Sequence, residues 1–215
     1  SWKDTVGENF KYDATFFMFD DKSIIGEING KRLFDGNTLS EAGSEFRGLY
    51  GYVSDGIYQT KEEIINSPVT SSVVKPGDVR YKDINGPNGV PDGVINSFDR
   101  QFLGSSLDHY TYGGQLNMNY KGLDFGLTFQ GVAKNNFVFT RDLILPNPEV
   151  ENQTKEFDGN FWSVYNTPQQ NLDAKYPRMS IVSNSNNYRF SDYWLMDGSY
   201  LIITRLTLGY SLSQD

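Results

Sequence analysis

Oxygen-bearing side chains recur at spaced positions over residues 83–99: Asp83, Asn85, Asp92, Asn96 and Asp99, with the Val94 carbonyl among them. That run suits a hard cation. A calcium loop needs oxygen ligands at alternating positions, a glycine for the sharp turn, one backbone carbonyl and a closing carboxylate. The six positions supply these in order, with two departures. Residues 86–91 separate the second ligand from the third, and the closing side chain is Asp, shorter than Glu. A turn held by its own Asx hydrogen bonds is the competing reading. The expectation is calcium in a structural role. Magnesium fits less well because it demands stricter octahedral geometry.

Other reactive side chains assemble nothing catalytic. His109, the single histidine, follows Asp108, but there is no GxSxG elbow to make a triad, so it reads as a hydrogen-bonded residue at a strand start. Glu62 and Glu63 are neighbours on a short helical stretch and point apart. Asp13 and Asp124 are the strand-borne carboxylates that a glycoside hydrolase would need, with no supporting motif. Trp162, Tyr165, Tyr188 and Trp194 could stack on sugars or on a partner protein, or could anchor their loop. Arg178 and Asp197 could fix a polar substrate or act as loop-stabilising ions. No enzyme is expected.

Composition narrows the field further. Zero cysteines excludes disulfide frameworks, thiolate catalysis and Cys-ligated metals. With 19 Lys and Arg against 27 Asp and Glu, the net charge is -8, and nucleic acid is a poor partner. Aromatics reach 15%, mostly Tyr and Phe, which leans towards pleated structure. No apolar run approaches the roughly 18 residues of a membrane helix. The abrupt opening at Ser1-Trp2, without a signal core, predicts a fragment of something longer.

The elements that must carry these residues alternate with period two. Over 110–120 the even positions Tyr110, Tyr112, Gly114, Leu116, Met118 and Tyr120 form one face, and Thr111, Gln115, Asn117 and Asn119 lie on the other. Lys121-Gly122 makes a tight turn. Leu123, Phe125, Leu127 and Phe129 then carry the apolar face, so 110–130 predicts a hairpin. A third strand is predicted over 200–212, with Tyr200, Ile202, Leu206, Leu208, Tyr210 and Leu212 on one face and Thr204 its one weak member. A fourth covers 10–18. Asp20-Asp21-Lys22 predicts a turn into a fifth strand over 23–31. Residues 32–108 and 140–199 are long Gly-, Asn- and Pro-rich connections, far above the usual ~4–6 residues. Short and long connections alternate, which puts the long loops at one end of the sheet.

Two environments suit such strands: a soluble sandwich with its apolar face inward, or a transmembrane barrel with its apolar face towards lipid. The stripe over 110–120 matches the roughly 9–11 residues that cross a bilayer at a tilt. Tyrosines at both its ends are what two membrane interfaces select. The opposite face carries uncharged Gln, Asn and Thr where a soluble surface would carry more Lys and Glu. These features favour an all-β, antiparallel transmembrane barrel segment. Five strands cannot close in lipid, so further strands must complete the ladder.

Residues 76–104 (PGDVRYKDINGPNGVPDGVINSFDRQFLG) and 110–132 (YTYGGQLNMNYKGLDFGLTFQGV) resemble the SusC/RagA family of TonB-dependent transporters. So do GYVSDGIYQ at 51–59, Tyr176-Pro177-Arg178, and YWLMDGSYLIITRLTLGY at 193–210. The resemblance implies that residues 1–215 are a C-terminal part of a plugged barrel of the about 22-strand class, without its plug. It further implies glycan or peptide import across the Gram-negative outer membrane, a SusD-like surface lipoprotein as lid, and energy from TonB through a segment not in this chain. The long loops would then be extracellular, and Trp162, Tyr165, Arg178, Tyr188 and Trp194 are the candidate substrate contacts. The alternative is a soluble calcium-stabilised β-sandwich that binds carbohydrate.

Overall fold

The computed structural model describes residues 1–138, 155, 158–180 and 184–212. The remainder, including about a third of the expected 140–199 loop and Gln214-Asp215, lies outside the described residues. The chain opens with β1 (Trp2–Val6) and β2 (Phe10–Phe19). The first long connection follows, holding β3 (Leu33–Asp35), β4 (Thr38–Ser40), β5 (Gly48–Tyr52), β6 (Ser54–Ile57) and helix α1 (Lys61–Ile65). It continues through β7 (Val69–Thr70), β8 (Val79–Tyr81), β9 (Val94–Ile95) and β10 (Arg100–Ser105). After β11 (His109–Tyr120) and β12 (Leu123–Lys134) come β13 (Asn136–Val138), helix α2 (Pro168–Leu172), β14 (Leu195–Asp197) and β15 (Tyr200–Tyr210).

The five long strands form one antiparallel sheet in the order β1-β2-β11-β12-β15. The predicted hairpin is present. Lys121 (φ 46°) and Gly122 (φ 83°) take the two positive-φ positions of a type I′ turn, whose twist matches the strands it joins. Register then stacks the alternating residues into rows. Ala14, Leu116, Leu127 and Leu206 lie side by side, and Tyr12, Met118, Phe125 and Leu208 form the next row. Phe10, Tyr120, Leu123 and Tyr210 close the short-turn end. Met18 and Tyr112 stand together towards the other end.

Among the described residues no second layer seals this apolar face. Phe16 is 63% exposed, Leu206 67% and Leu208 72%. A sandwich core would exclude water from such side chains, so the soluble alternative is not what the chain forms. The opposite face is a polar groove of about 450 Å³. In it Asn117 donates to Asp13 (3.4 Å) and Asn119 donates to Asp124 (2.7 Å). Asp13 and Asp124 are thus tied to β11 as structural acceptors.

Two expectations need correction. Residues 23–31 form no strand; Ile24 makes only an isolated bridge to Glu45. Asn29 (φ 58°) and Gly30 (φ 66°) sit in the left-handed region, which interrupts any ladder. The fifth strand is instead β1, joined to β2 by a short turn at residues 7–9, and Asp20-Asp21-Lys22 belongs to the long connection. The alternation of short and long connections survives this change. The second correction concerns β15. Thr128 pairs with Arg205 but Phe129 pairs with Ile203, so Thr204 is an extra residue, a β-bulge. Beyond it the faces swap, and Leu201 and Ile203 join the apolar face in place of Tyr200 and Ile202.

The buried core lies in the long connections, away from the sheet. β10-β5-β4-β3 form a four-stranded sheet. Val79, Tyr81 and Ile95 make one buried cluster, Tyr176 and Trp194 another, and Tyr193 packs against both.

Candidate functional site

The two long connections meet around Asp78, which is fully buried. Its carboxylate accepts from Asn184 Nδ2 (2.8 Å), Asn187 Nδ2 (3.0 Å) and the Lys75 amide (2.8 Å). Arg178 Nε lies 2.7 Å away, completing an ion pair. Neighbouring Asn186 and Asn187 clamp the β8 backbone: Val79 N–H donates to Asn187 Oδ1, and Asn186 Nδ2 donates to the Val79 carbonyl. A carboxylate without solvent needs this many donors, because an unpaired buried charge is very costly. Arg178 alone of this cluster is singled out by residue type, because its members stand about a hundred positions apart.

Of the five candidate substrate contacts, Trp162 and Trp194 are buried and Arg178 and Tyr188 are half-buried. Trp162 is 7% exposed, donates to Gln59 Oε1 (3.0 Å) and lies over Gly77. Gly77 has φ +91°, and a Cβ there would sit 2.4 Å from the indole. Trp194 is buried and donates to the Asn187 carbonyl, with Tyr176 and Tyr188 stacked near it at 6.4 and 6.3 Å. Arg178 is the partner of Asp78. These side chains therefore pack and cross-link the loops. Tyr165 stands apart from them and is exposed.

The 83–99 run is a loop closed largely by its own hydrogen bonds. Asp83 accepts from the Asp92 amide (3.3 Å) and the Gly93 amide (2.5 Å), and Gly93 (φ 81°) supplies the sharp turn. Asp92 accepts from the Val94 amide. Asp99 is fully buried and accepts from the amides of Ile84, Asn85 and Asn96, while Asn96 Oδ1 accepts from Phe98 N–H in a reciprocal capping box. Asn96 and Asp99 thus serve as a cap. No cluster of three or more His, Cys, Asp or Glu among the described residues is placed to hold a metal ion. The oxygen chemistry of Asp83, Asp92 and the Val94 carbonyl still suits calcium.

At the rim between sheet and loops, His109 lies between two carboxylates. Nδ1 is 2.6 Å from Asp20 and Nε2 is 2.5 Å from Glu45. The Asp20 hydrogen bond, reinforced by Glu45, raises the imidazole pKa above its usual range, and the same bond lowers that of Asp20. Glu63 accepts from the Gln59 amide and fixes the start of α1, whereas Glu62 belongs to no acidic cluster among the described residues. Asp197 accepts from Ser199, which lowers its pKa, and it makes no pair with Arg178.

An antiparallel sheet with an uncovered apolar face, tyrosines at its ends and its loops gathered above one rim defines a piece of a transmembrane-type β-barrel wall with a loop crown. No family model matches the chain. It is 27% identical, over 97% of its length, to TonB-dependent receptor P26 of Formosa agariphila, covering 21% of that protein. It is 26% identical, over 90% of its length, to TonB-dependent receptor P3 of the same organism, covering 18%. The chain therefore spans about a fifth of the length of these curated relatives. Nearly the whole chain is thus similar to one stretch of each of these TonB-dependent receptors, in keeping with the barrel-wall fold.

Proposed function

We propose that the chain is part of the wall and extracellular crown of an outer-membrane importer of the SusC/RagA type. The uncovered apolar face carries this reading. Among the described residues no element covers its rows of Leu, Met and Phe, and its aromatic ends match the spacing of two lipid interfaces. The importer would take up glycan or peptide, captured under a SusD-like lipoprotein and released by TonB acting through another part of the protein. No covalent chemistry is proposed. Deleting the full-length gene in the host should abolish growth on one glycan or peptide source. Growth unchanged on every such source, or recovery of the protein in the soluble fraction, counts against the reading.

For the 83–99 loop the proposed ligand is calcium in a structural role, held by Asp83, Asp92 and the Val94 carbonyl with water, beneath the Asp99 cap. Calorimetric titration of the full-length protein should show binding that Asp83→Ala and Asp92→Ala both abolish. Identical traces for wild type and variants would remove the assignment.

A further inference from the structure

A second cleft, of about 620 Å³, lies beside the four-stranded sheet, between it and the segment around residues 41–45. Two guanidinium groups share its aromatic wall. Arg32 sits 5.5 Å and Arg100 5.2 Å from the centre of the Tyr50 ring, and both also lie over Phe34. Arg32 is neutralised by Glu41 at 2.6 Å. Arg100 donates to the Tyr50 carbonyl and has no carboxylate partner among the described residues. The cleft's other acidic group, Glu45, is already engaged by His109. A surplus cation thus faces the cleft of an acidic protein.

The cleft also offers a flat apolar face. Phe102 lies across Gly48, where a Cβ would sit 2.8 Å from the ring, and its other side leaves it 50% exposed. Gln101 and Ser44 line the same space; Ser44 Oγ is taken up by Glu41, donating to its carbonyl and accepting from its amide, so Gln101 supplies the neutral amide. A fixed planar cation, an exposed ring and a neutral amide together describe a sugar subsite with one charged contact. A peptide would use strand addition or a deep apolar groove instead.

We propose that this cleft binds an acidic sugar unit, with the carboxylate on Arg100 and the ring on Phe102. The assignment takes its purpose from the importer reading, because it would give that importer a preference for acidic glycans. The test is calorimetric titration of the full-length receptor in detergent with digalacturonate, uncharged digalactose and a tripeptide bearing a free C-terminal carboxylate. Wild type should prefer digalacturonate over digalactose by about ten- to hundredfold, as expected of a charge-assisted hydrogen bond. Arg100→Gln should bring the two sugars near parity, and Arg100→Lys should keep part of the preference. Phe102→Leu should weaken both sugars while leaving their ratio unchanged. Parity in wild type overturns the proposal, as does an unchanged ratio in Arg100→Gln with an unchanged melting temperature. Tripeptide binding as tight as digalacturonate also overturns it. Uptake by cells is read separately: lost uptake with intact discrimination counts against the importer, and lost discrimination with intact uptake removes only this subsite.

Discussion

Placing a charge at Leu127 is the sharpest test of which way the sheet faces. Leu127 stands mid-row between Leu116 and Leu206, about as far from either tyrosine-bearing end as the sheet allows. Arg at the bilayer midplane of a barrel costs about 2–4 kcal/mol. At about 1.4 kcal/mol per factor of ten, that is roughly thirty- to several-hundredfold in the folding equilibrium. Thr128, one position along, points to the polar groove opposite Arg205, so Thr128→Glu should cost near zero. The assay is urea titration of the full-length receptor folded into lipid vesicles, each variant read by its retarded mobility in unheated gels. A soluble core would also resist Leu127→Arg, so the pair needs a lipid readout. Trp placed at position 127 should be quenched by brominated acyl chains, and Trp at position 128 should not. Equal quenching at both positions, or quenching only at 128, would refute the outward-facing apolar row.

Two further outcomes follow from the crown. Asp78→Ala strands the Arg178 guanidinium and the two amides of Asn184 and Asn187, and should destabilise the loops by about 3–5 kcal/mol; hydrogen exchange at Val79 should rise with it, and unchanged protection would contradict the hub. At the rim, His109 lies above the Tyr112 row, held by Asp20 and Glu45, with Lys22 beside Glu45 at 3.9 Å and Lys134 opposite on β12. Its pKa is raised on folding, so its stabilisation is complete below the unfolded value near 6.5 and is lost as pH climbs through the folded one. Asp20 is lowered, so its share holds above its ordinary value near 3.8 and fades as pH falls through the folded one. Loop protection measured against pH should therefore peak between these limits, and His109→Gln should flatten the alkaline side; a wild-type profile that is already flat there would count against the clamp.

The alternation over 10–18, 110–120 and 123–129 was enough to specify the wall, because period two fixes which side chains share a face, and Lys121-Gly122 specifies its own turn. Short-range chemistry was legible too, as in the helix beginning at Lys61 and the Asx-rich run ending at Asp99. Residues 23–31 misled because their composition suits a strand while Asn29 and Gly30 take left-handed backbone. Thr204 misled because a bulge conserves composition and reverses parity. What only the tertiary structure decided is the crown. Asp78 meets Arg178, and Arg100 meets Arg32 over Tyr50, across long stretches of chain. A local pattern records the direction of a side chain relative to its neighbours, whereas pairings between distant loops depend on how the whole connection closes.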